Sequence, residues 1–367
     1  MNWPDVAVVG GGLLGRCLAW RAAKAGAEVA LYEAGSRAGE GSAAWVAGGM
    51  IAPTSEGIEA GAQIESLGRR SIALWPQWLA QLPLAVFYRN EGTLWVWHRE
   101  HSCEAARVEQ TRACRGLQGQ IERIEATRLA QLEPALGTRF LQALLVRGEA
   151  QVDNRGLLQA LAVALEDEGV GCHWETLVSD TDLPQARVVV DCRGMGAKAS
   201  WPHLRGVRGE IVRLHAPEVE LRRVLRLLAP RHGIYIIPRP EGRLVVGATS
   251  IESDDQSPVS VRGALELLTS AYSVLPALAE ARILELNRQI RPALPDNAPS
   301  IRFDRQRRVL SVNGLYRHGF LLTPAVVEEA VSLLTLDRLS AVGELWPSMK
   351  ESLPVPPGIQ EQVNPCL

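Results

Sequence analysis

No apolar stretch in this 367-residue chain approaches the ~20 residues that a membrane-spanning helix needs, so a membrane partner is not expected. Nor is there an excess of one charge. With 39 Lys and Arg against 41 Asp and Glu, the chain offers no basic footprint for nucleic acid. Cysteine is sparse and unpatterned: Cys17, Cys103, Cys114, Cys172, Cys192 and Cys366 make no CxxC and no metal-ligand spacing. The seven histidines are scattered, and no metal is expected. Cys17, Cys172 and Cys192 sit among apolar residues and read as buried thiols of a reducing compartment. The first strand begins almost at Met1 and leaves no room for a signal peptide, so a cytoplasmic setting is expected. The length allows a large core and two domains.

What is present is concentrated first at the amino terminus. Val6-Ala7-Val8-Val9 runs into Gly10-Gly11-Gly12-Leu13-Leu14-Gly15, a helix is expected over 13–25, and Val29-Ala30-Leu31-Tyr32 ends at Glu33. Gly10 permits the tight turn, Gly12 lets the backbone approach a diphosphate, and Gly15 lets helix and strand pack closely. The diphosphate would lie on the helix N-terminus, where free N–H groups and the dipole favour an anion. Glu33 stands about 20 residues downstream, where the dinucleotide fingerprint requires an acid. It would accept from ribose hydroxyls and repel a 2′-phosphate, so NADP is disfavoured while NAD and FAD both fit; a solvated glutamate at a strand end is the plainer reading.

Further along, Gly35 to Ser42 has loop composition and leads into Ala43-Ala44-Trp45-Val46-Ala47-Gly48-Gly49-Met50. Such small residues would let the backbone lie flat against a planar ring, although a helix start packed on a sheet would look the same. Helices are expected over 66–82, over 103–134, over 156–168 and over 259–272. Asn90-Glu91-Gly92 is a turn signal between two β-prone runs. Val188-Val189-Val190-Asp191 is a buried strand entering a glycine turn. From Gly206 onward, spaced strands with turns suggest an antiparallel sheet. Leu310-Ser311-Val312-Asn313 reads as a last strand, with Thr323 as N-cap and Pro324 as first residue of a last helix. No internal repeat is evident, and nucleotide-domain segments alternate with sheet-like ones, so two interleaved domains are expected.

Several later motifs then occur in a set order: Val207-Arg208-Gly209-Glu210, Gly233-Ile234-Tyr235-Ile236-Ile237-Pro238, Arg243 to Thr249, Arg291-Pro292-Ala293-Leu294-Pro295-Asp296 and Gly314-Leu315-Tyr316-Arg317-His318-Gly319-Phe320-Leu321-Leu322-Thr323-Pro324. With the amino-terminal fingerprint and the 43–50 run, they resemble the D-amino-acid oxidase family of FAD flavoproteins, and within it the glycine oxidases of thiamine biosynthesis. The resemblance extends to about residue 340.

It implies an α/β fold (α+β overall): a Rossmann-like FAD-binding domain over 1–82, 150–205 and 290–345, interleaved with an antiparallel-sheet substrate domain over 83–149 and 206–289, and a C-terminal tail over 346–367. Leu13 and Leu14 would meet the diphosphate, Glu33 and Ala34 the adenosine ribose, and Val178 the adenine. Gly41, Ser42, Ala43, Gly48, Gly49 and Met50 would line a non-covalently held flavin. Leu315, Tyr316, Arg317, His318, Gly319, Phe320 and Leu321 would wrap its isoalloxazine. Arg291 would pair with a substrate carboxylate, Tyr235 would lie over the substrate and Arg317 beside it. A planar guanidinium can grip both carboxylate oxygens and so orient Cα–H; a surface arginine at 291, a core tyrosine at 235 and a stacked surface arginine at 317 are the plainer alternatives.

The implied reaction is oxidative deamination of glycine or another small amine to a 2-oxo acid, ammonia and hydrogen peroxide, with hydride passing from Cα to flavin N5 and O2 as acceptor. Sarcosine or D-amino-acid oxidation, a related dehydrogenase and a non-catalytic flavin-binding protein are the alternatives. A homo-oligomer, a tetramer by analogy, is expected. Two departures bear on the substrate: Ser250 stands where the resemblance places a methionine over the substrate, and Trp45-Val46 adds bulk within the small-residue run.

Overall fold

The computed structural model describes residues 4–230 and 233–335; Cys366, the tail at 346–367 and residues 336–345 lie outside them. A six-stranded sheet has Val6–Val9 at its centre, with Val29–Tyr32 and Gly171–His173 on one side and Val188–Asp191, Val309–Asn313 and Ser300–Asp304 on the other. All neighbours are parallel except the last pair. Every side chain of Val6–Val9 is buried, as expected of a parallel strand covered on both faces. Leu13–Lys24, Asn154–Asp167 and Gly319–Thr335 cover one face through a core that includes Leu18, Trp20, Leu31, Leu161 and Val326. Gly10 and Glu33 therefore stand at the carboxyl ends of adjacent strands, where open α/β sheets bind their ligands.

The second sheet has nine strands. Arg205–His215 pairs along one edge with Arg243–Gly247 and Ile251–Glu252 and along the other with Arg282–Ala293. Tyr235–Arg239, Val224–Leu227, Thr93–Val96, Gln142–Val146 and Ile121–Glu125 continue it. Pairing is antiparallel except where Val224–Leu227 meets Thr93–Val96 in parallel, so the sheet is mixed at that one junction. A small third sheet ties Met50–Ile51 to Ala150–Val152 and Tyr88–Arg89.

Three sequence expectations need correction. The helix expected over 66–82 spans Ala62–Leu79 and follows a separate helix, Pro53–Ala60. Within 103–134 only Ser102–Cys114 and Ala126–Leu132 are helical; Ile121–Glu125 between them is a strand on Gln142–Val146. Its Glu and Arg residues favour helix in isolation, but pairing to a buried strand decides. Most consequentially, the last helix starts at Gly319 rather than Thr323. Thr323 is buried, and its hydroxyl donates to the Gly319 carbonyl at 2.7 Å instead of capping. Pro324 lies inside the helix and cannot donate to the Phe320 carbonyl; the Trp75 indole N–H does so instead, at 2.9 Å.

Candidate active site

At the glycine turn each residue has its own constraint. Gly10 has φ +101°, and a Cβ there would lie 2.7 Å from the Cys192 backbone. A Cβ on Gly15 would lie 1.8 Å from the Gly10 carbonyl oxygen, so helix and turn meet backbone to backbone. Gly12 differs: a Cβ there would make only an ordinary contact, with Ser42 Cβ at 3.7 Å. That is a cradle a diphosphate can enter, and it supports the fit of a dinucleotide cofactor. Beneath the turn, the buried Arg16 donates to the carbonyls of Gly11 (2.6 Å), Leu158 (2.7 Å) and Arg37 (2.8 Å). Burial lowers its pKa to about 10. An arginine on the apolar face of a helix was the signal for this prop.

Glu33 is not merely solvated. One carboxylate oxygen accepts from Gly11 N–H and the other from Gly35 N–H at 2.7 Å. Each oxygen retains a lone pair for a ribose hydroxyl. Ala34 is exposed beside it, and Val178 is buried with Ala7, Val9 and Val189 against Tyr32. Ser42 N-caps the short helix Ala43–Val46, while Gly41 offers its carbonyl to Gln289 Nε2 at 2.7 Å.

Some distance along, a cavity of about 560 Å³ brings together residues far apart in sequence. Gly48, Gly49 and Met50 form one part of its wall, Tyr235, Ser250 and Arg291 another, and Arg317, His318, Phe320 and Leu321 a third. The small-residue run is pinned by Arg239, which donates to the carbonyls of Gly48 and Val152 and to Gln151 Oε1. Burial lowers this guanidinium to about 10. Gly49 has φ +66°, and a Cβ there would strike the Val152 carbonyl at 2.1 Å. Leu13, Leu14, Leu315, Tyr316 and Gly319 are not in the cavity wall; Tyr316 Oη instead lies 3.3 Å from Ser250 Oγ. Because the last helix begins at Gly319, its N-terminus is next to this wall. Trp45 lies outside the wall, under the Arg155 guanidinium at 4.3 Å.

Arg291 reaches the cavity from Arg282–Ala293, near the end of that strand. Its guanidinium rests against Gly209 and donates to the Thr249 carbonyl at 3.1 Å. Burial pushes its pKa below the ordinary value. Among the described residues no carboxylate pairs with it.

Arg317 is already engaged. Its Nε lies 2.9 Å from Glu56 Oε2, and its Nη2 pairs with Glu59. Glu56 also approaches His318 Nδ1 at 3.1 Å and accepts from the Tyr235 hydroxyl at 3.3 Å. Burial alone would raise the Glu56 carboxyl, but Arg317, then His318 and Arg226, hold it well below the usual carboxylate range. Burial pushes the Tyr235 phenol up, so it stays protonated. Sequence reasoning missed Glu56 and Glu59; the only local sign was Pro53 followed by a first-turn glutamate, an ordinary helix start. No group of three or more His, Cys, Asp or Glu among the described residues is placed to hold a metal, and no helix among them is long and apolar enough to cross a membrane.

Comparison with known proteins agrees with this geometry. Residues 5–333 match the family model described as DAO, FAD dependent oxidoreductase. The chain is 42% identical over 333 residues to a putative thiamine biosynthesis oxidoreductase ThiO of Rhizobium etli, covering 91% of this chain and 97% of that one. It is 28% identical to a glycine oxidase of Geobacillus kaustophilus, covering 87% of this chain and 90% of that one. The crystal structure of glycine oxidase from Geobacillus kaustophilus superimposes with a TM-score of 0.80 at 26% identity, over 92% of this chain and 95% of that chain. With a family model matched over residues 5–333 and a relative 42% identical over 91% of its length, the chain belongs to the DAO family of FAD-dependent oxidoreductases.

Proposed function

We propose that this chain is an amino-acid oxidase of the glycine-oxidase type, oxidising a small α-amino acid to its imino acid, which water hydrolyses to the 2-oxo acid and ammonia, while O2 takes the two electrons and two protons and becomes hydrogen peroxide. The observation that carries the reading is Arg291: a cation lining the cavity, seated against Gly209, with a backbone carbonyl as its hydrogen-bond acceptor and no carboxylate on it among the described residues. A substrate carboxylate supplies the missing anion, and a planar guanidinium fixes it with two parallel bonds. The similarity to ThiO and to glycine oxidase supports the substrate class.

FAD, when bound, supplies the two-electron acceptor for the substrate Cα–H. Gly10, Gly12, Leu13, Leu14 and Gly15 would hold its diphosphate, Glu33 and Ala34 its ribose, Val178 its adenine; residues 41–43, 48–50 and 315–321 would border the flavin without a covalent bond. Arg291 orients the carboxylate end. Tyr235, protonated and anchored to Glu56, closes the cavity over the substrate. Glu56 is held ionised by Arg317 and His318, so it acts as a fixed anion rather than an acid. No strong base is required of the protein, since the lone pair of a neutral amine assists loss of hydride from Cα. The contribution of the protein is orientation and a charged, partly enclosed site.

In this reading residues 1–82, 150–205 and 290–345 act as the cofactor domain and 83–149 with 206–289 as the substrate domain. A cytoplasmic setting suits the buried thiols of Cys17 and Cys192, and assembly into a tetramer rests on analogy.

The test is peroxide release with glycine, sarcosine and D-amino acids for the wild type and Arg291→Ala. We expect KM to rise on the order of tenfold to a hundredfold, the loss of a charged bidentate contact, with the flavin absorbance per chain retained. Unchanged amino-acid kinetics in the variant would sink the assignment.

A further inference from the structure

Strand Arg205–His215 turns alternate side chains to two different surroundings. On one face Arg208 and Glu210 are buried and pair with each other, Arg208 Nη2 lying 2.7 Å and Nε 3.0 Å from Glu210 Oε1. Arg208 also donates to the carbonyls of Asp255 at 2.7 Å and of Ser257 and Pro258 at 2.8 Å. Glu210 Oε1 accepts from Ser260 N–H at 3.2 Å, at the start of the helix Val261–Val274. A buried ion pair bonded on several sides fixes the strand at Glu210. On the other face Ile211 lines the cavity, and the guanidinium of Arg291 crosses the strand over Gly209.

The backbone of Glu210 in turn holds Thr249. Glu210 N–H donates to Thr249 Oγ1 at 2.8 Å, and Thr249 N–H donates back to the Glu210 carbonyl at 3.1 Å. This exchange sits at an irregularity in the pairing. Gly247 lies opposite Ile211 and Ile251 opposite Arg208, so Ala248, Thr249 and Ser250 face only Gly209 and Glu210. One extra residue is a β-bulge, a device that re-aims the chain locally. Its product here is the Thr249 carbonyl, which accepts from Arg291 Nη1 at 3.1 Å. The next residue, Ser250, has its Oγ 3.3 Å from Tyr316 Oη, so the bulge is also met from the 315–321 stretch.

We infer that Thr249 is a positioning residue for Arg291. Its hydroxyl fixes the bulge, and the bulge aims the Thr249 carbonyl at the guanidinium. The inference rests on the reading of Arg291 as the clamp for a substrate carboxylate. By taking one N–H of Arg291, the carbonyl sets the plane of the guanidinium and leaves its other N–H groups for the carboxylate. Without the hydroxyl, Glu210 N–H loses its acceptor, and the bulge gives up the bond that holds its shape.

Two variants of the holoenzyme test this. Thr249→Val keeps the shape of the side chain and removes the acceptor, whereas Thr249→Ser keeps the acceptor. With glycine, Thr249→Val should raise KM about tenfold and change kcat less, while Thr249→Ser stays within about twofold of the wild type. Flavin absorbance per chain should be retained in both. A lower melting temperature for Thr249→Val with KM unchanged would make the hydroxyl purely structural and overturn the proposal. So would an equal rise of KM in Thr249→Ser. Should Thr249→Val not fold, Thr249→Ala removes the same hydroxyl and is measured in its place. Calorimetry with methoxyacetate, a carboxylate with no amine to oxidise, separates this inference from the clamp reading, whether or not glycine is oxidised. Affinity lost in both Arg291→Ala and Thr249→Val supports both assignments. Affinity lost in Arg291→Ala alone removes the role of Thr249 and leaves the clamp. No difference between the wild type and Arg291→Ala removes the clamp, and the role of Thr249 with it.

Discussion

Gly209 and Arg291 occupy one space: a Cβ on residue 209 would lie 2.1 Å from Arg291 Nη2. The two belong to paired strands, with Val207 directly opposite Arg291 and Gly209 opposite Gln289. The atom a methyl would meet is the far end of a flexible side chain, so the guanidinium would move and the backbone would not. Gly209→Ala should therefore leave stability within about 1 kcal/mol of the wild type, since strand glycines are intrinsically unfavourable. KM for the amino acid should rise about tenfold, because a small misplacement of an orienting group is costly. Steady-state kinetics beside a urea unfolding curve will decide; an unchanged KM would show that Arg291 does not need this seat.

Much of the cofactor half was legible because its constraints are local. The continuous apolar run Val6–Val9, the spacing of Gly10, Gly12 and Gly15 and the acid at Glu33 each meet a backbone requirement readable in one stretch. The carboxylates of the cavity were not legible. Glu56 and Glu59 acquire a role only because Arg317 and His318 fold onto them from the far end of the chain. The start of the last helix was misplaced for a related reason. Thr323-Pro324 has the chemistry of a helix start, yet Trp75, from Ala62–Leu79, donates to the carbonyl that Pro324 leaves free. A long-range bond made a mid-helix proline tolerable, and no local signal carries that information.

The glycines of the turn should separate by experiment. Gly15→Ala places a methyl 1.8 Å from the Gly10 carbonyl oxygen, so the helix must shift away from the turn; both apoprotein stability and FAD affinity should fall. Gly12→Ala meets nothing closer than Ser42 Cβ at 3.7 Å. It should leave apoprotein stability within about 1 kcal/mol while weakening FAD binding about tenfold or more, because the methyl enters the diphosphate cradle. Apoprotein melting and FAD titration by flavin fluorescence give both numbers. Tight FAD binding by Gly12→Ala would place the diphosphate elsewhere.

Behind the cavity, Glu149 should make stability depend on pH. It is fully buried, and its two oxygens accept from Ser55 N–H at 2.7 Å and Ser55 Oγ at 2.8 Å, holding the start of the helix that carries Glu56. Burial raises its carboxyl from 4.5 to about 7, against the opposing bonds from Thr93 and Ser55. A folded-state value above the unfolded one means that the native state holds its proton more tightly. The stabilisation is complete below the unfolded value of 4.5 and is lost as pH rises through about 7. Glu149→Gln keeps an uncharged acceptor for Ser55 at every pH. The variant should match the wild type near pH 5 and exceed it near pH 8, by roughly 3 kcal/mol at most for a shift of this size. Urea unfolding at the two pH values measures the gap. A difference between variant and wild type that stays constant with pH would mean that Glu149 is ionised throughout, and that its charge is balanced by a partner other than the proton.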